Sequence, residues 1–146
     1  MIRKIFVAGL LIAGVSTAFA QNDPIAQRQA TMKGVGQLWY GDIGKMMKGE
    51  IPYNHATVTS AIEKMAAAGK AMPALFPDNS KTGGETKALP AVWEKKADFD
   101  ARWARMSTEA TAAMAAVKDE ASFKVAQPNL NKNCQECHTT YRVRNN

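Results

Sequence analysis

The apolar positions of this chain recur at helical spacing along most of its length. Asp23-Pro24 is typical of a helix N-cap followed by proline at the first helical position. Apolar residues then follow every three or four positions up to Gly49, a plausible stop: Ile25, Met32, Val35, Leu38, Trp39, Ile43, Met46 and Met47. Four glycines in this stretch weaken the helix. They indicate either a bulky group close to its backbone or tight helix–helix contact: Gly34, Gly36, Gly41 and Gly44.

A second and a third helix follow the same spacing. Asn54 can cap a helix from His55 to about Ala71, whose buried face carries Val58, Ile62 and Met65. His55 itself is expected to be a solvated surface residue. Residues 74–90 are rich in proline and glycine and predict a long irregular loop. A third helix is expected over about 91–117, with an apolar stripe of Val92, Trp93, Phe99, Trp103, Met106, Ala110 and Met114.

The fourth helix is expected from about Glu120 to Arg142, and Pro128 should start a new segment or kink it. Leu130 and Tyr141 share its apolar face. Ala and Met are abundant and β-branched runs are scarce, which also favours helices. Four amphipathic helices joined by two short loops and one longer crossover predict an all-α protein, an antiparallel up-down-up-down four-helix bundle.

The first twenty residues are typical of a secretory signal peptide. Arg3 and Lys4 precede an uncharged apolar run, and Ala18-Phe19-Ala20 provides an A-x-A cleavage site. The run is shorter than the ~20 apolar residues that a membrane-spanning helix needs. We therefore expect a cleaved peptide over 1–20, a single helical domain over 21–146, and a periplasmic location.

The charge pattern argues against nucleic acid as a partner. The formal net charge is +6, of which Arg3 and Lys4 belong to the predicted signal peptide. The remaining basic residues are scattered, without a basic stripe or interleaved stacking aromatics. No later segment is apolar enough to cross a membrane.

The strongest chemical motif is Cys134-Gln135-Glu136-Cys137-His138, the pattern for covalent attachment of a c-type haem. On a helix, residues three and four apart share a face. Cys134, Cys137 and His138 can therefore point one way, so that the thiols bond to two porphyrin vinyl groups and the imidazole reaches the iron.

Zinc binding, dithiol redox chemistry and a disulfide fit this motif less well than haem does. A structural zinc site needs four ligands, and the chain has two Cys and two His, with His55 far upstream. A redox Cys-x-x-Cys usually lies near a βαβ pattern, which is absent. A disulfide within one helical turn is awkward. The motif thus predicts one covalently bound haem c, with His138 as the proximal iron ligand.

Met32 is the candidate for the distal side of the iron. The first and last helices of such a bundle run antiparallel and can be neighbours. Met32 lies eight residues after Pro24, and His138 lies eight residues before the chain end. At about 1.5 Å per residue the two stand at a similar level. A thioether there could bind iron, although eight methionines are present and most fill cores.

Two arginines lie one helical turn from these ligands. Arg28 precedes Met32 by four residues and could bind a haem propionate with a bidentate bond, or could simply be solvated. Arg142 follows His138 by four residues. It could lie beside the proximal imidazole or finish the helix near its negative end.

The sequence resembles the class II c-type cytochromes, the family of cytochromes c-prime and their low-spin relatives. The resemblance covers the whole mature chain and rests on the C-terminal haem motif followed by Tyr141-Arg142. Further matching segments are Arg28-Gln29-x-x-Met32-Lys33, Lys48-Gly49-Glu50-Ile51-Pro52-Tyr53, Leu75-Phe76-Pro77, and Glu85-Thr86-Lys87 with Trp93. Asn54 stands where an Asp is common in the family, a change that keeps the cap.

The resemblance implies a left-handed four-helix bundle with the haem between helices. It also implies that Arg28 and Gln29 contact the haem and that Glu85 and Thr86 belong to a loop covering its edge. A methionine at the position of Met32 binds iron in low-spin members. In cytochromes c-prime that position is usually a bulky non-ligand, which leaves the iron open to NO or CO, although some five-coordinate members carry Met there. Members of the family often form homodimers through their first two helices.

Three functions are open to a protein of this kind. The first is a carrier of single electrons between redox partner proteins, which a Met32–iron–His138 site favours. The second is a five-coordinate cytochrome c-prime that binds NO or CO. The third is an enzyme such as a peroxidase, which needs a distal acid or base. His55 is at the wrong level of the bundle and no carboxylate neighbours Met32 on its face, so no enzymatic activity is expected.

Overall fold

The computed structural model describes residues 23–144, and these residues form an antiparallel helical bundle, as predicted. Helix α1 (Pro24–Gly36) continues through a π-helical segment (Gln37–Asp42) into helix α2 (Ile43–Met47). The Asp23 carboxylate accepts a hydrogen bond of 2.8 Å from the Ile25 N–H and so caps α1. Gly49 follows the end of α2 with a φ of +73°, a left-handed conformation that favours glycine. The predicted first helix is therefore confirmed at both ends. The predicted signal peptide lies outside the described residues.

Helix α3 (His55–Ala71) has the bounds that the sequence predicts. The Asn54 side chain accepts a 2.9 Å hydrogen bond from the Thr57 N–H, which satisfies an N-terminal donor of the helix. Residues 72–90 then form the predicted crossover, which contains two short 3₁₀ turns, Met72–Leu75 and Asp78–Ser80. His55 is exposed and its Nδ1 lies 3.0 Å from the Tyr53 hydroxyl.

The predicted third helix is divided in two. Helix α4 (Ala91–Glu94) and helix α5 (Lys96–Ala116) are separated at Lys95, whose φ of −120° and ψ of 41° are not helical. The indole N–H of Trp93 donates to the Phe76 carbonyl at 3.0 Å. This bond holds α4 against the crossover, so the direction of α4 is set by the crossover rather than by α5.

Helix α6 (Glu120–Tyr141) carries the Cys-x-x-Cys-His motif near its C-terminal end. A capping box begins it, in which the Asp119 side chain accepts from the Ser122 N–H at 2.8 Å. The expectation that Pro128 starts a new segment is wrong, because α6 continues through this residue. Phe123 and Leu130, on either side of the proline, are both buried and hold the two halves against the same core.

The helices pack around one apolar core. Helix α3 packs most extensively on α5, and α5 packs on α6. The first and last helices are joined by a hydrogen bond of 3.1 Å from the Trp39 indole N–H to the Asn131 side-chain oxygen. Helices α3 and α5 lie very close together at Gly69, where an added Cβ would be 2.7 Å from the Ser107 Cβ. The arrangement places helix α1 and the haem motif of α6 around a common cavity.

The crossover and the C-terminal tail pair over a short stretch. Ala88 and Arg142 form an isolated antiparallel bridge. It is flanked by hydrogen bonds from the Leu89 N–H to the Tyr141 carbonyl, at 2.9 Å, and from the Val143 N–H to the Lys87 carbonyl, at 2.8 Å. These bonds fix the tail beside the loop. Within residues 23–144, none of the helices combines the length and the apolar character that crossing a bilayer requires.

Candidate haem site

A cavity of about 590 Å³ opens between helix α1, the crossover and the C-terminal half of α6. Its volume lies in the range of ligand sites in proteins. Most of its wall is apolar: Met32, Val35, Trp39, Met72, Phe76, Val92, Phe99, Trp103 and Met106. The structure brings all eight sequence-predicted site residues to this one wall: Arg28, Gln29, Met32, Glu85, Thr86, Cys134, Cys137 and His138.

Helix α6 contributes the two cysteines and the histidine. Both cysteines are free thiols, Cys134 buried and Cys137 half-buried. Burial raises the pKa of each thiol to about 11, so both are protonated at neutral pH. Burial, and secondarily the charge of Arg142, lowers the pKa of His138. A neutral imidazole keeps the lone pair that a metal ligand needs.

Helix α1 contributes Met32 to the same cavity. Met32 is half-buried and packs against the apolar core. Met32 therefore reaches the same cavity as His138 from a different helix. A thioether is a soft ligand that suits haem iron.

Arg28 is 4% exposed and donates four hydrogen bonds to the protein itself. Nη1 donates to the Leu75 carbonyl at 3.0 Å and to the Ser80 hydroxyl at 2.8 Å. Nη2 donates to the Ser80 carbonyl at 2.9 Å and to the Thr86 hydroxyl at 2.6 Å. The alternative of a solvated arginine is therefore wrong. The guanidinium also lies over the Phe76 ring, 4.4 Å from its centroid.

The crossover segment around residues 84–86 lies across helix α1 at the rim of the cavity. The Gln29 amide donates to the Gly84 carbonyl at 2.9 Å. An added Cβ at Gly84 would lie 2.9 Å from the Ile25 side chain, and Gly84 and Glu85 have φ values of +51° and +53°. This close left-handed turn brings Glu85 and Thr86 to the cavity rim.

Tyr141 adds a polar network on the α6 side of the cavity. It is buried, lines the cavity, and donates its hydroxyl to the Asp98 carboxylate. Arg102 Nε donates to the same carboxylate at 2.7 Å. Both hydrogen bonds lower the pKa of Asp98, and the bond from Tyr141 has the larger effect. Sequence reasoning placed Tyr141 on the haem face of α6 but missed Asp98, because its partner lies 43 residues away.

Three of the four glycines in the first predicted helix face open space. A Cβ added at Gly34, Gly36 or Gly41 would meet no described atom within 4 Å. Tight helix–helix contact is therefore not their role. Gly36 lines the cavity, where the absence of a side chain leaves space for a bulky group beside the helix.

The cavity fits a covalently bound haem. It combines two thiols and a neutral imidazole on one helix face, an apolar wall, and a glycine that leaves open space. Trp103 on the same wall has a buried indole N–H for which the described residues supply no acceptor. An unmet donor of this kind is consistent with a bound group that carries acceptors.

Comparison with known proteins agrees with this site. The Cytochrome C' family matches residues 23–142. A cytochrome c' from Rhodopseudomonas palustris (strain ATCC BAA-98 / CGA009) is 43% identical over 143 residues, which cover 98% of this chain and 97% of the relative. A cytochrome c-556 from the same strain is 32% identical over 146 residues, covering 97% of each chain.

A solved structure of cytochrome c' from Rhodopseudomonas palustris superposes with a TM-score of 0.81 at 43% identity, covering 86% of this chain and 100% of the other. The chain therefore belongs to the cytochrome c' family, and it is a c-type cytochrome whose cofactor is a covalently bound haem c with its iron.

Proposed function

We propose that this cytochrome is a periplasmic carrier of single electrons whose iron is held by His138 and Met32. The observation that carries the proposal is that Met32, from α1, and His138, from α6, line one cavity. Two protein ligands would leave little to rearrange between redox states, which suits a carrier. Export of the chain, which the predicted signal peptide favours, would deliver it to the compartment where c-type haem is attached.

Cys134 and Cys137 would hold the haem through two thioether bonds. Each bond forms when a thiol adds across a vinyl group, so the sulfur and its proton both end on the porphyrin substituent and no oxidant is needed. When bound, haem c supplies an iron that alternates between the ferric and ferrous states. His138 would ligate that iron as a neutral imidazole, as its lowered pKa favours.

The crossover would close one edge of the site. Arg28 fixes Ser80 and Thr86 beside α1, and Gln29 fixes the Gly84 carbonyl. We propose that these groups, with Glu85, contact the haem at its propionate edge. Because four Arg28 N–H groups already bond to the protein, its contribution would be chiefly a buried positive charge rather than a two-point bond.

The cavity does not favour an enzyme. Among the described residues that line it, Glu85 is the one carboxylate, and it is exposed on the crossover. Arg28 and Tyr141 are engaged in hydrogen bonds. Proton transfer to a substrate at the iron needs a positioned acid or base. Beside Met32 the wall carries the apolar Val35 and Trp39, and Lys33 is exposed at the mouth.

Protein-film voltammetry of the haem-loaded protein tests the carrier role. The wild type should give fast, reversible one-electron waves, and Met32→Ala should lower the midpoint potential, because Met/His ligation raises the potential of c-type haem. Met114→Leu is the matched control, since Met114 is half-buried and does not line the cavity. Equal potentials for Met32→Ala and the wild type would contradict the proposal.

The second candidate is a cytochrome that binds NO or CO at an open iron. The higher identity to a cytochrome c', 43%, than to a cytochrome c-556, 32%, favours it. In that case Met32 would lie over the ring without coordinating, and the apolar wall would exclude polar ligands. Rapid CO binding by the ferrous wild type would favour this candidate over the carrier.

A further inference from the structure

The mouth of the haem cavity is positively charged. Four cationic side chains line the cavity among the described residues, against the single carboxylate of Glu85: Arg28, Lys33, Lys87 and Arg142. The two negative charges of the haem propionates would therefore leave the net charge of this region positive. Lys33, Lys87 and Arg142 are exposed, so their charges face solvent at the mouth.

The C-terminal tail extends this charged surface. The Val143 N–H donates to the Lys87 carbonyl at 2.8 Å, which fixes the tail beside the crossover. Arg142 and Arg144 flank Val143 and are both exposed. We call Lys33, Lys87, Arg142 and Arg144, with the exposed side chains of Tyr40 and Val143, the basic rim.

Ion pairs neutralise several of the cations on helix α5. On α5, Lys96 pairs with Asp100 at 2.5 Å and Arg102 pairs with Asp98 at 2.7 Å. Within the part of the chain that the structure describes, Lys33, Arg142 and Arg144 form no ion pair. Neighbouring positive charges that outnumber the negative charges around them produce a positive potential, which attracts an anionic surface.

Two large apolar side chains lie within the basic rim. Tyr40 is 61% exposed and Val143 is 45% exposed. Tyr40 lines the cavity mouth, and the Arg142 charge acts on its phenol. Aromatic and arginine side chains together are typical of the centres of protein interfaces, whereas a surface that only attracts small ions needs no apolar contact.

We propose that the basic rim is the docking surface for an acidic redox protein. This inference rests on the proposed electron-carrier function and adds the site of contact and the charge of the partner. Docking there brings the partner to the opening of the haem cavity, and opposite charges accelerate encounter and orient it. A second copy of this chain is a poor occupant, because its formal net charge is of the same sign as the rim, +6 for the whole sequence and +4 without Arg3 and Lys4.

Small redox probes of opposite charge test the potential at the rim. We would measure oxidation of the ferrous protein by ferricyanide, an anion, and by tris(phenanthroline)cobalt(III), a cation, across ionic strength. The ferricyanide rate should fall as salt rises, and the cobalt rate should rise. In Lys87→Glu/Arg144→Glu, the ferricyanide rate at low salt should drop roughly threefold to tenfold, because charge steering changes association rates by about tenfold or more and only two of the rim charges are reversed.

Lys64→Glu/Lys118→Glu is the matched control. It changes the net charge by the same amount as the rim variant, at two exposed positions that do not line the cavity. Lys118 precedes the N-terminal end of α6. The control should keep nearly the wild-type rates. Equal effects of the two double variants would show that net charge alone matters, and would overturn the proposal.

An acidic flavodoxin, in its hydroquinone form, serves as the protein probe. Its reduction of the ferric cytochrome should slow in Lys87→Glu/Arg144→Glu and lose most of its salt dependence, while the control keeps both. The single variant Arg144→Glu, which lies outside the cavity wall, should show a smaller effect in the same direction with an unchanged absorption spectrum. An unchanged flavodoxin rate in the rim variants would overturn the proposal.

Two further outcomes are distinguishable. Sedimentation that shows a dimer in the wild type and a monomer in Lys87→Glu/Arg144→Glu would assign the rim to a second copy and overturn the proposal. A wild-type ferrous protein that binds CO rapidly would contradict the carrier function instead. The salt dependence of the two small probes would still report the potential at the rim in that case.

Discussion

Arg28 and Thr86 are joined by a hydrogen bond of 2.6 Å from the guanidinium Nη2 to the threonine hydroxyl. The bond links helix α1 to the far end of the crossover, 58 residues along the chain. Together with the bonds to Leu75 and Ser80, it makes one side chain the common anchor of the whole segment. The rim of the haem cavity is therefore built on a buried cation.

Removing that cation should destabilise the protein. We expect Arg28→Met to lower the free energy of unfolding by about 3 kcal/mol, because the buried acceptors of Ser80 and the part-buried carbonyl of Leu75 lose their donor. Arg28→Lys should recover only part of the loss, since an ammonium cannot reproduce the planar fork. Urea unfolding followed by circular dichroism measures both. Lys33→Met, at an exposed neighbouring position, should change stability little, and an equal loss there would contradict this role of Arg28.

The contact between α3 and α5 gives a second prediction. We expect Gly69→Ala to destabilise by roughly 1–3 kcal/mol, because the new Cβ would lie 2.8 Å from both the Trp103 carbonyl and the Ser107 N. Gly34→Ala is the matched control, since a Cβ there meets nothing within 4 Å. It should stabilise by up to about 1 kcal/mol, the difference in helix propensity. Thermal unfolding of both variants decides the matter, and an unaffected Gly69→Ala protein would show that the helices can separate at no cost.

The Tyr141–Asp98 hydrogen bond predicts a pH dependence of stability. It lowers the pKa of Asp98 from its ordinary value of 3.8, and burial of the phenol, together with this bond, raises the pKa of Tyr141 to about 12. The Asp98 contribution is therefore present above pH ~4 and lost as pH falls below it. The Tyr141 contribution is complete below the ordinary tyrosine pKa of about 10 and is lost as pH rises towards 12.

Tyr141→Phe removes this bond with little change of shape. The difference in unfolding free energy between wild type and Tyr141→Phe should be constant between about pH 5 and 9 and should shrink outside that range. Urea unfolding at a series of pH values measures it, with exposed Tyr40→Phe as the control. A difference that does not change as the pH falls below about 4 would mean that the hydrogen bond to the Asp98 carboxylate contributes nothing.

Covalent attachment gives a fourth prediction. Cys134→Ser and Cys137→Ser should each leave one vinyl group unsaturated, and the conjugation that it retains should shift the α-band of the pyridine haemochrome to longer wavelength. Intact-mass spectrometry should still find one haem on each single variant and none on the double variant. Haem retained on the denatured double variant would contradict thioether attachment at these two residues.

Local signals in the sequence were sufficient for most helix ends. Asp23, Asn54 and Gly49 act through residues within a few positions of themselves, so their caps could be predicted from spacing. The haem motif was equally readable, because its three groups share one helical turn. The helix break at Lys95 was missed, and of the two alternatives for Pro128 the start of a new segment was wrong, because both positions depend on packing against other elements, which no local pattern contains.

The surroundings of the haem motif could be predicted only in part. Arg28 and Met32 were located by their spacing on one helix face and by family resemblance. The acceptors of Arg28 lie 47 to 58 residues away, and the π-helical segment that includes Tyr40 has no signature in the hydrophobic pattern. Long-range partners such as Asp98 for Tyr141 are fixed by tertiary packing, and they became visible only once the fold was known.

The most direct test of the central claim is the absorption spectrum of the purified protein, ferric and ferrous, with and without CO. If Met32 and His138 both bind the iron, the spectrum should show sharp low-spin bands, a ferric methionine–iron charge-transfer band and no response to CO. Met32→Ala should abolish that band and admit CO, while Met114→Leu should do neither. A broad high-spin spectrum that shifts readily with CO in the wild type would contradict coordination by Met32 and would indicate a gas-binding cytochrome.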